Sequence, residues 1–305
     1  MQCSWLFTVL VTLSLLHPSL SSTQPFIPLQ THSIYPPYID QELQSRWWDF
    51  GGDAIVNTMK YVRLTSDQPS QSGYLWSRLP LSVENFEIEF EFHVSSTRDD
   101  HLYGDGFGLF LTTQRAEVGP VFGFRDRFNG LGIFFDSYQN SRRSGHSFPY
   151  VMAMLGDGET SYDHDEDGMK NALVGCESDF RDTENPAKGR ITYYQGEFLE
   201  LQLNYGGDED WTHCFTITNL TLPEHSYLGF SAHTGDISDN HDIISVTTHA
   251  LSSQVAHDTP MHTQVLKKSY FSLWSFLKFA SLGALATFGG VYWYKRHKEN
   301  SLKRF

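Results

Sequence analysis

From residue 86 to residue 94 apolar and polar side chains alternate without a break. Phe86, Ile88, Phe90, Phe92 and Val94 hold one parity, and Glu87, Glu89, Glu91 and His93 hold the other. Period 2 sends successive side chains to opposite faces of an extended chain, so this stretch predicts a strand with one buried face and one wet face. Other apolar segments are short and lack that alternation. Residues 106–112, 130–136, 150–155, 190–194, 198–205, 214–220, 227–233 and 242–248 predict further strands, and 54–64 predicts one interrupted near Asn57. The aromatic block ending in Trp47-Trp48-Asp49-Phe50-Gly51-Gly52 predicts a short edge strand at the start of the fold. Residues 67–73 form a polar loop, and turns such as Gly156-Asp157-Gly158 separate the strands. No sustained helical period occurs between residues 25 and 250. Many short strands joined by Gly and Asp turns define an all-β domain, a sandwich or jelly roll.

The two ends of the chain follow different patterns. Residues 6–16 are apolar but too few to span a bilayer, and Pro18 and a small-residue stretch follow them, so residues 1–22 read as a signal peptide. Residues 271–294 are 24 in number and carry one charge, Lys278. As a helix they reach about 36 Å, enough to cross a membrane with some tilt. Trp274 and the Tyr292-Trp293-Tyr294 cluster sit near the two ends, as interfacial aromatics do. The expected layout is a signal peptide at 1–22, a lumenal domain at 23–250, a stalk at 251–270, a transmembrane helix at 271–294 and a cytosolic tail at 295–305.

Charge supports that layout. The chain of 305 residues has a net charge of −14. The last eleven residues carry +4, which leaves −18 on the remainder. A basic tail beside an apolar span sets a type I orientation with the acidic body in the lumen. That acidity also argues against nucleic acid as a partner. Cys3 leaves with the signal peptide. Cys176 and Cys214 then remain as an even pair in an oxidising compartment, which points to one disulfide; two buried free thiols are the alternative.

Residues 130–140 carry the first candidate chemistry. An apolar run there ends in Asp136, Tyr138 and Asn140, spaced two apart, so extended chain would turn all three to one side. A carboxylate and an amide suit a hard cation, and the aromatic ring offers an apolar surface. Residues 163–168, Asp-His-Asp-Glu-Asp-Gly, begin like an EF-hand loop, but Val174 stands where the bidentate Glu is needed. Asp163 and Asp167 remain candidate oxygen ligands to the same cation. Glu87, Glu89 and Glu91 line one strand face at two-residue steps of about 6.6 Å, a spacing that can place a glycosidase acid and nucleophile, which leaves open a membrane-anchored jelly-roll glycosidase using Glu87 and Glu91. Residues 103–108 and 233–240 are polar glycine-bearing loops suited to sugar hydroxyls. Asn219-Leu220-Thr221 is an N-glycosylation sequon.

Taken in order, WWDFGG, YVRLT, GDGFGLF, GPVFG, FFDSYQN, SYDHDEDG, GCESDFR and HTGDISDNHDI resemble the motifs of the L-type (legume-like) lectins of the early secretory pathway. The vesicular integral-membrane branch is the nearer one, because no coiled-coil stalk precedes the apolar span. The resemblance covers roughly residues 27–250. It implies a non-enzymatic, concanavalin-like β-sandwich (jelly roll) with a single C-terminal transmembrane helix. It also implies calcium-dependent binding of high-mannose N-glycans, and sorting or transport of glycoprotein cargo between the ER, the ER–Golgi intermediate compartment and the Golgi.

By motif, the implied Ca2+ ligands are Asp136, Asn140 and Asp167 by side chain and Tyr138 by its carbonyl. The implied sugar contacts are Ser70, Asp105, Tyr138, Asn140, His164, Gly235, Asp236 and Ile237. Cys176 and Cys214 match the family's lumenal disulfide. Gln139 stands where relatives often have Pro, and His233 replaces a small residue before Thr234. The tail ending Lys303-Arg304-Phe305 lacks a full dilysine signal, and its terminal aromatic resembles export signals read by vesicle coat components.

Overall fold

The computed structural model describes residues 26–96, 103–141, 145–205 and 210–252. The expected signal peptide, most of the stalk, the apolar span and the basic tail lie outside them. Among the described residues no helix is long and apolar enough to cross a membrane.

Among the described residues seventeen strands and two 3-10 turns follow in chain order. The strands are β1 (Ile27–Pro28), β2 (Trp48–Gly52), β3 (Ile55–Asn57), β4 (Tyr61–Thr65), β5 (Ser72–Ser77), β6 (Asn85–Ser95), β7 (Gly106–Thr112), β8 (Val118–Gly119) and β9 (Gly123–Phe124). They continue as β10 (Asn129–Asp136), β11 (Tyr150–Asp157), β12 (Val174–Glu177), β13 (Ala187–Tyr194), β14 (Phe198–Asn204), β15 (Thr212–Thr218), β16 (Tyr227–His233) and β17 (Asn240–Ala250). Two antiparallel sheets face each other. One runs β15-β14-β13-β6-β17-β4-β3, with β1 paired to β17, and the other runs β12-β11-β10-β7-β16-β5-β2.

Burial explains why the strands read differently in sequence. Strand β6 alternates buried and half-buried residues along its whole length, because its sheet has one face on the core and one toward solvent. Its inward residues meet Phe107, Leu109, Leu131, Phe135 and Phe230 of the opposite sheet. Every residue of β7 is buried, and all of β10 after Asn129. Their second face is covered by a layer of irregular chain. There Trp76, Phe110, Phe134 and Met152 pack under Val121, Phe122, Phe124, Phe128 and Tyr162. A sheet buried on both sides loses the period-2 signal.

The disulfide expected between Cys176 and Cys214 is present, with Cα atoms 5.4 Å apart. It joins β12 to β15, the edge strands of the two sheets on one side of the sandwich. Asn219 follows β15 directly, exposed and left-handed, with φ 56°.

Candidate functional site

One end of the seven-stranded sheet collects the candidate residues. Strand register sets a row across its middle: Asp136 faces Gly106, Gly106 faces His233, and His233 faces Ser72. The turn before β7, the loop after β10 and the loop after β16 therefore emerge side by side. A cavity of about 580 Å³ opens there, lined by Ser72, Asp105, Val118–Pro120, Phe122, Asp136, Asn140, Tyr162, His164 and His233.

Ladder pairing stops at Asp136, and residues 137–141 belong to no strand. Strand β10 ends at Asp136, whose Oδ1 accepts the Tyr138 N–H at 3.0 Å. Asp167 holds the loop that follows: its two oxygens accept the N–H groups of Asn140 and Ser141, each at 2.9 Å. Asp167 itself is turned inward by a left-handed backbone (φ 53°) at the end of the 3-10 turn His164–Glu166. The acidic loop thus clamps the β10 loop through its backbone.

Asp136 and Asp167 are 4% and 2% exposed, and no ion pair among the described residues reaches either. Burial pushes the Asp136 carboxyl well above the usual carboxylate range; Asp167 and Asp105 push it further, and the Tyr138 N–H opposes them. Buried acids that crowd one another with no basic partner among the described residues fit a cation supplied from outside. Among the described residues no trio of His, Cys, Asp or Glu side chains forms a metal site. The set here is of a different kind, two buried carboxylates beside the Asn140 loop, which suits a hard oxygen-seeking ion.

Asp105 stands beside this group. Its carbonyl accepts from Ser137 N–H (2.9 Å) and Ser137 Oγ (3.1 Å), tying the turn to the β10 loop. Burial raises its carboxyl; His233, the Gly235 N–H and His164 favour the ionised form, and Asp236 opposes it. Gly104 lets Ile237 and Tyr138 close on the turn, since a Cβ there would stand 2.9 Å from Ile237 Cδ1 and 3.0 Å from Tyr138 Cβ. A Cβ on Gly235 would stand 3.3 Å from Asp105 Oδ2. The His164 ring meets Tyr162 edge-on, with centroids 4.9 Å apart.

The loop bearing Gly235, Asp236 and Ile237 is held from below. Arg181 donates Nε and Nη2 to the two oxygens of Asp239, both at 2.9 Å, and Asp239 is wholly buried. The same guanidinium lies 3.7 Å from the centre of the Tyr103 ring, and it also pairs with Asp182. Burial raises the Asp239 carboxyl to about 6, against the pull of Arg181. Thr234 Oγ1 donates to Gln68 O at 2.7 Å and accepts Gln71 N–H at 2.9 Å. Ser70 sits outside the cavity lining, and its N–H donates to Gly235 O at 3.0 Å.

Among the cavity residues absent from the expected sugar contacts are Ser72 and His233, the latter registered only as a departure. Glu87 and Glu91 do not line the cavity; they lie on the half-buried face of β6, where Glu89 between them bonds Arg190 at 2.9 Å.

Two opposed antiparallel sheets with a loop-built acidic cavity at one end define a β-sandwich of the legume-lectin kind. A sequence model of the legume-like lectin family matches residues 27–258, and this chain belongs to that family. The L-type lectin-like domain-containing protein of Schizosaccharomyces pombe is 36% identical over 233 residues, covering 76% of this chain and 74% of its own length. The vesicular integral-membrane protein VIP36 of Homo sapiens is 40% identical over 216 residues, 70% of this chain. The match spans 60% of VIP36. The crystal structure of the VIP36 exoplasmic/lumenal domain with Ca2+ and Man2 superposes with TM-score 0.69 at 38% identity, covering 73% of this chain and 89% of that one. Its metal-free form gives 0.70. A legume lectin-like domain from Entamoeba histolytica, 22% identical, shares the fold at TM-score 0.61.

Proposed function

We propose that this chain is a calcium-dependent lectin for high-mannose N-glycans, acting as a membrane-anchored receptor that sorts glycoproteins between ER and Golgi. The observation that carries the reading is the meeting of Asp136, Asn140 and Asp105 in one cavity, with Asp167 clamped onto the Asn140 backbone. VIP36 has been crystallised with Ca2+ and with Man, Man2 and Man3GlcNAc.

Asp136, Asp167, the Asn140 side chain and the Tyr138 carbonyl would hold the ion. Bound there, calcium supplies positive charge that stabilises the buried carboxylates and fixes the loop. Asp105 accepts sugar hydroxyls, Asn140 presents its amide to both ion and sugar, and the Tyr138 ring offers an apolar face. His164, Ser70 and the Gly235–Asp236–Ile237 segment supply the remaining polar contacts. Because the sugar meets groups already in place, little ordering entropy opposes binding. The anchor is assigned to residues 271–294, below a signal peptide at 1–22, a lectin domain at 23–250 and a stalk at 251–270. Coat components would read the tail at 295–305. Asn219, exposed at the end of β15, is the assigned glycan acceptor.

Calorimetric titration of the full-length chain in detergent with Man3GlcNAc tests the site. Binding is expected with calcium and lost on chelation or in Asn140→Ala. Mannose binding indifferent to chelator would overturn the calcium role.

A further inference from the structure

Ser72 and His233 are directly opposite each other in the β5–β16 ladder, and both line the cavity. Ser72 Oγ and His233 Nδ1 are each buried, and neither has a hydrogen-bond partner among the described residues. Directly opposed residues carry their Cβ atoms about 4.5–5.5 Å apart on one face, so a single hydroxyl can lie between them. Leaving a buried polar atom unpaired is costly, and such atoms are few in folded proteins. Two together, beside a cavity and beside the carboxylate of Asp105, mark a place completed by something that enters.

The neighbours say what enters. A neutral imidazole offers one donor and one acceptor, and a serine hydroxyl offers both, so the pair matches a hydroxyl. His233 also neighbours Asp105, the residue read above as a sugar-hydroxyl acceptor. On the far side Gly106, the next residue in the row, contributes no side chain. Val118, Gly119 and Pro120 add an apolar wall to the same cavity, which suits the carbon face of a pyranose.

We propose that Ser72 and His233 form an added subsite for a hydroxyl of the sugar unit adjoining the one at Asp105 and Asn140, and so select extended oligomannose over free mannose. The inference rests on the lectin reading and concerns glycan length. Neither residue belongs to the set expected from the family motifs.

The full-length chain in detergent micelles with calcium is titrated with mannose, Man2 and Man3GlcNAc, alongside Ser72→Ala and His233→Ala. Ser72→Ala removes one oxygen and keeps the strand, so it guards against a folding failure in His233→Ala. Each substitution is expected to lower the ratio of Man3GlcNAc to mannose affinity about fivefold, with less than additive loss in the double variant. A ratio unchanged in both variants overturns the subsite and leaves the lectin reading standing; a water then fills the gap. An unaltered chain that binds none of the three sugars removes the lectin reading and the subsite with it.

Discussion

At the scale of single residues the cavity is governed by how closely backbone and carboxylate approach. Gly235 shows this most simply. Nothing in its backbone demands glycine, but a Cβ there would sit 3.3 Å from Asp105 Oδ2, the proposed acceptor of a sugar hydroxyl. Gly235→Ala is therefore expected to leave the thermal midpoint in place while weakening mannose binding by about tenfold, the equivalent of roughly 1.4 kcal/mol. Calorimetry beside a melting curve checks both halves. Asp105, Asp136, Asn140, His164 and Asp167 were legible in sequence because each sits in a dense local motif, and the fold brings them together. Ser72 and His233 were not, because they meet only through strand register, which no local pattern records.

Among elements, legibility followed solvent. Strand β6 announced itself because one of its faces is wet. Strand β5 was missed: Tyr74, Leu75 and Trp76 pack on both sides of a sheet covered twice, so its residues show no period. The 54–64 segment was read as one interrupted strand. It is a hairpin, β3 against β4, folded at that interruption. The loops depend on fewer contacts, and Arg181 joins two of them. It stacks on Tyr103 at the turn carrying Asp105 and forks onto Asp239 behind Gly235. Arg181→Met would leave Asp239 buried and unpaired, a loss of about 3–5 kcal/mol. Chemical denaturation is expected to show it. Weaker mannose binding is expected at temperatures where the variant remains folded, because both loops lose their shared support. Binding at full strength in the folded variant would mean the loops hold themselves.

For the whole molecule, the disulfide is a cross-link between sheets. Cys176 and Cys214 lie 38 residues apart and close the sandwich along one side, where β12 and β15 would otherwise be facing edges. A loop of that length is worth about 4 kcal/mol on chain entropy alone. The double substitution Cys176→Ala, Cys214→Ala is expected to lower unfolding free energy by about 2–4 kcal/mol, read by denaturant titration under oxidising conditions. Its position beyond the cavity lining predicts a smaller effect on calcium-dependent sugar binding than on stability.

Strand β17 starts beside the cavity, immediately after Asp239, and ends at Ala250, about 35 Å away at strand rise. It lies inside its sheet. Strand β6 runs along one side; β4, a bridge from Ile34 to Val246, and β1 follow one another along the other. A load hung on the sugar site and resisted at Ala250 would thus run down the length of this strand. Its hydrogen bonds would be strained together in shear, and could not be unzipped one at a time from an edge.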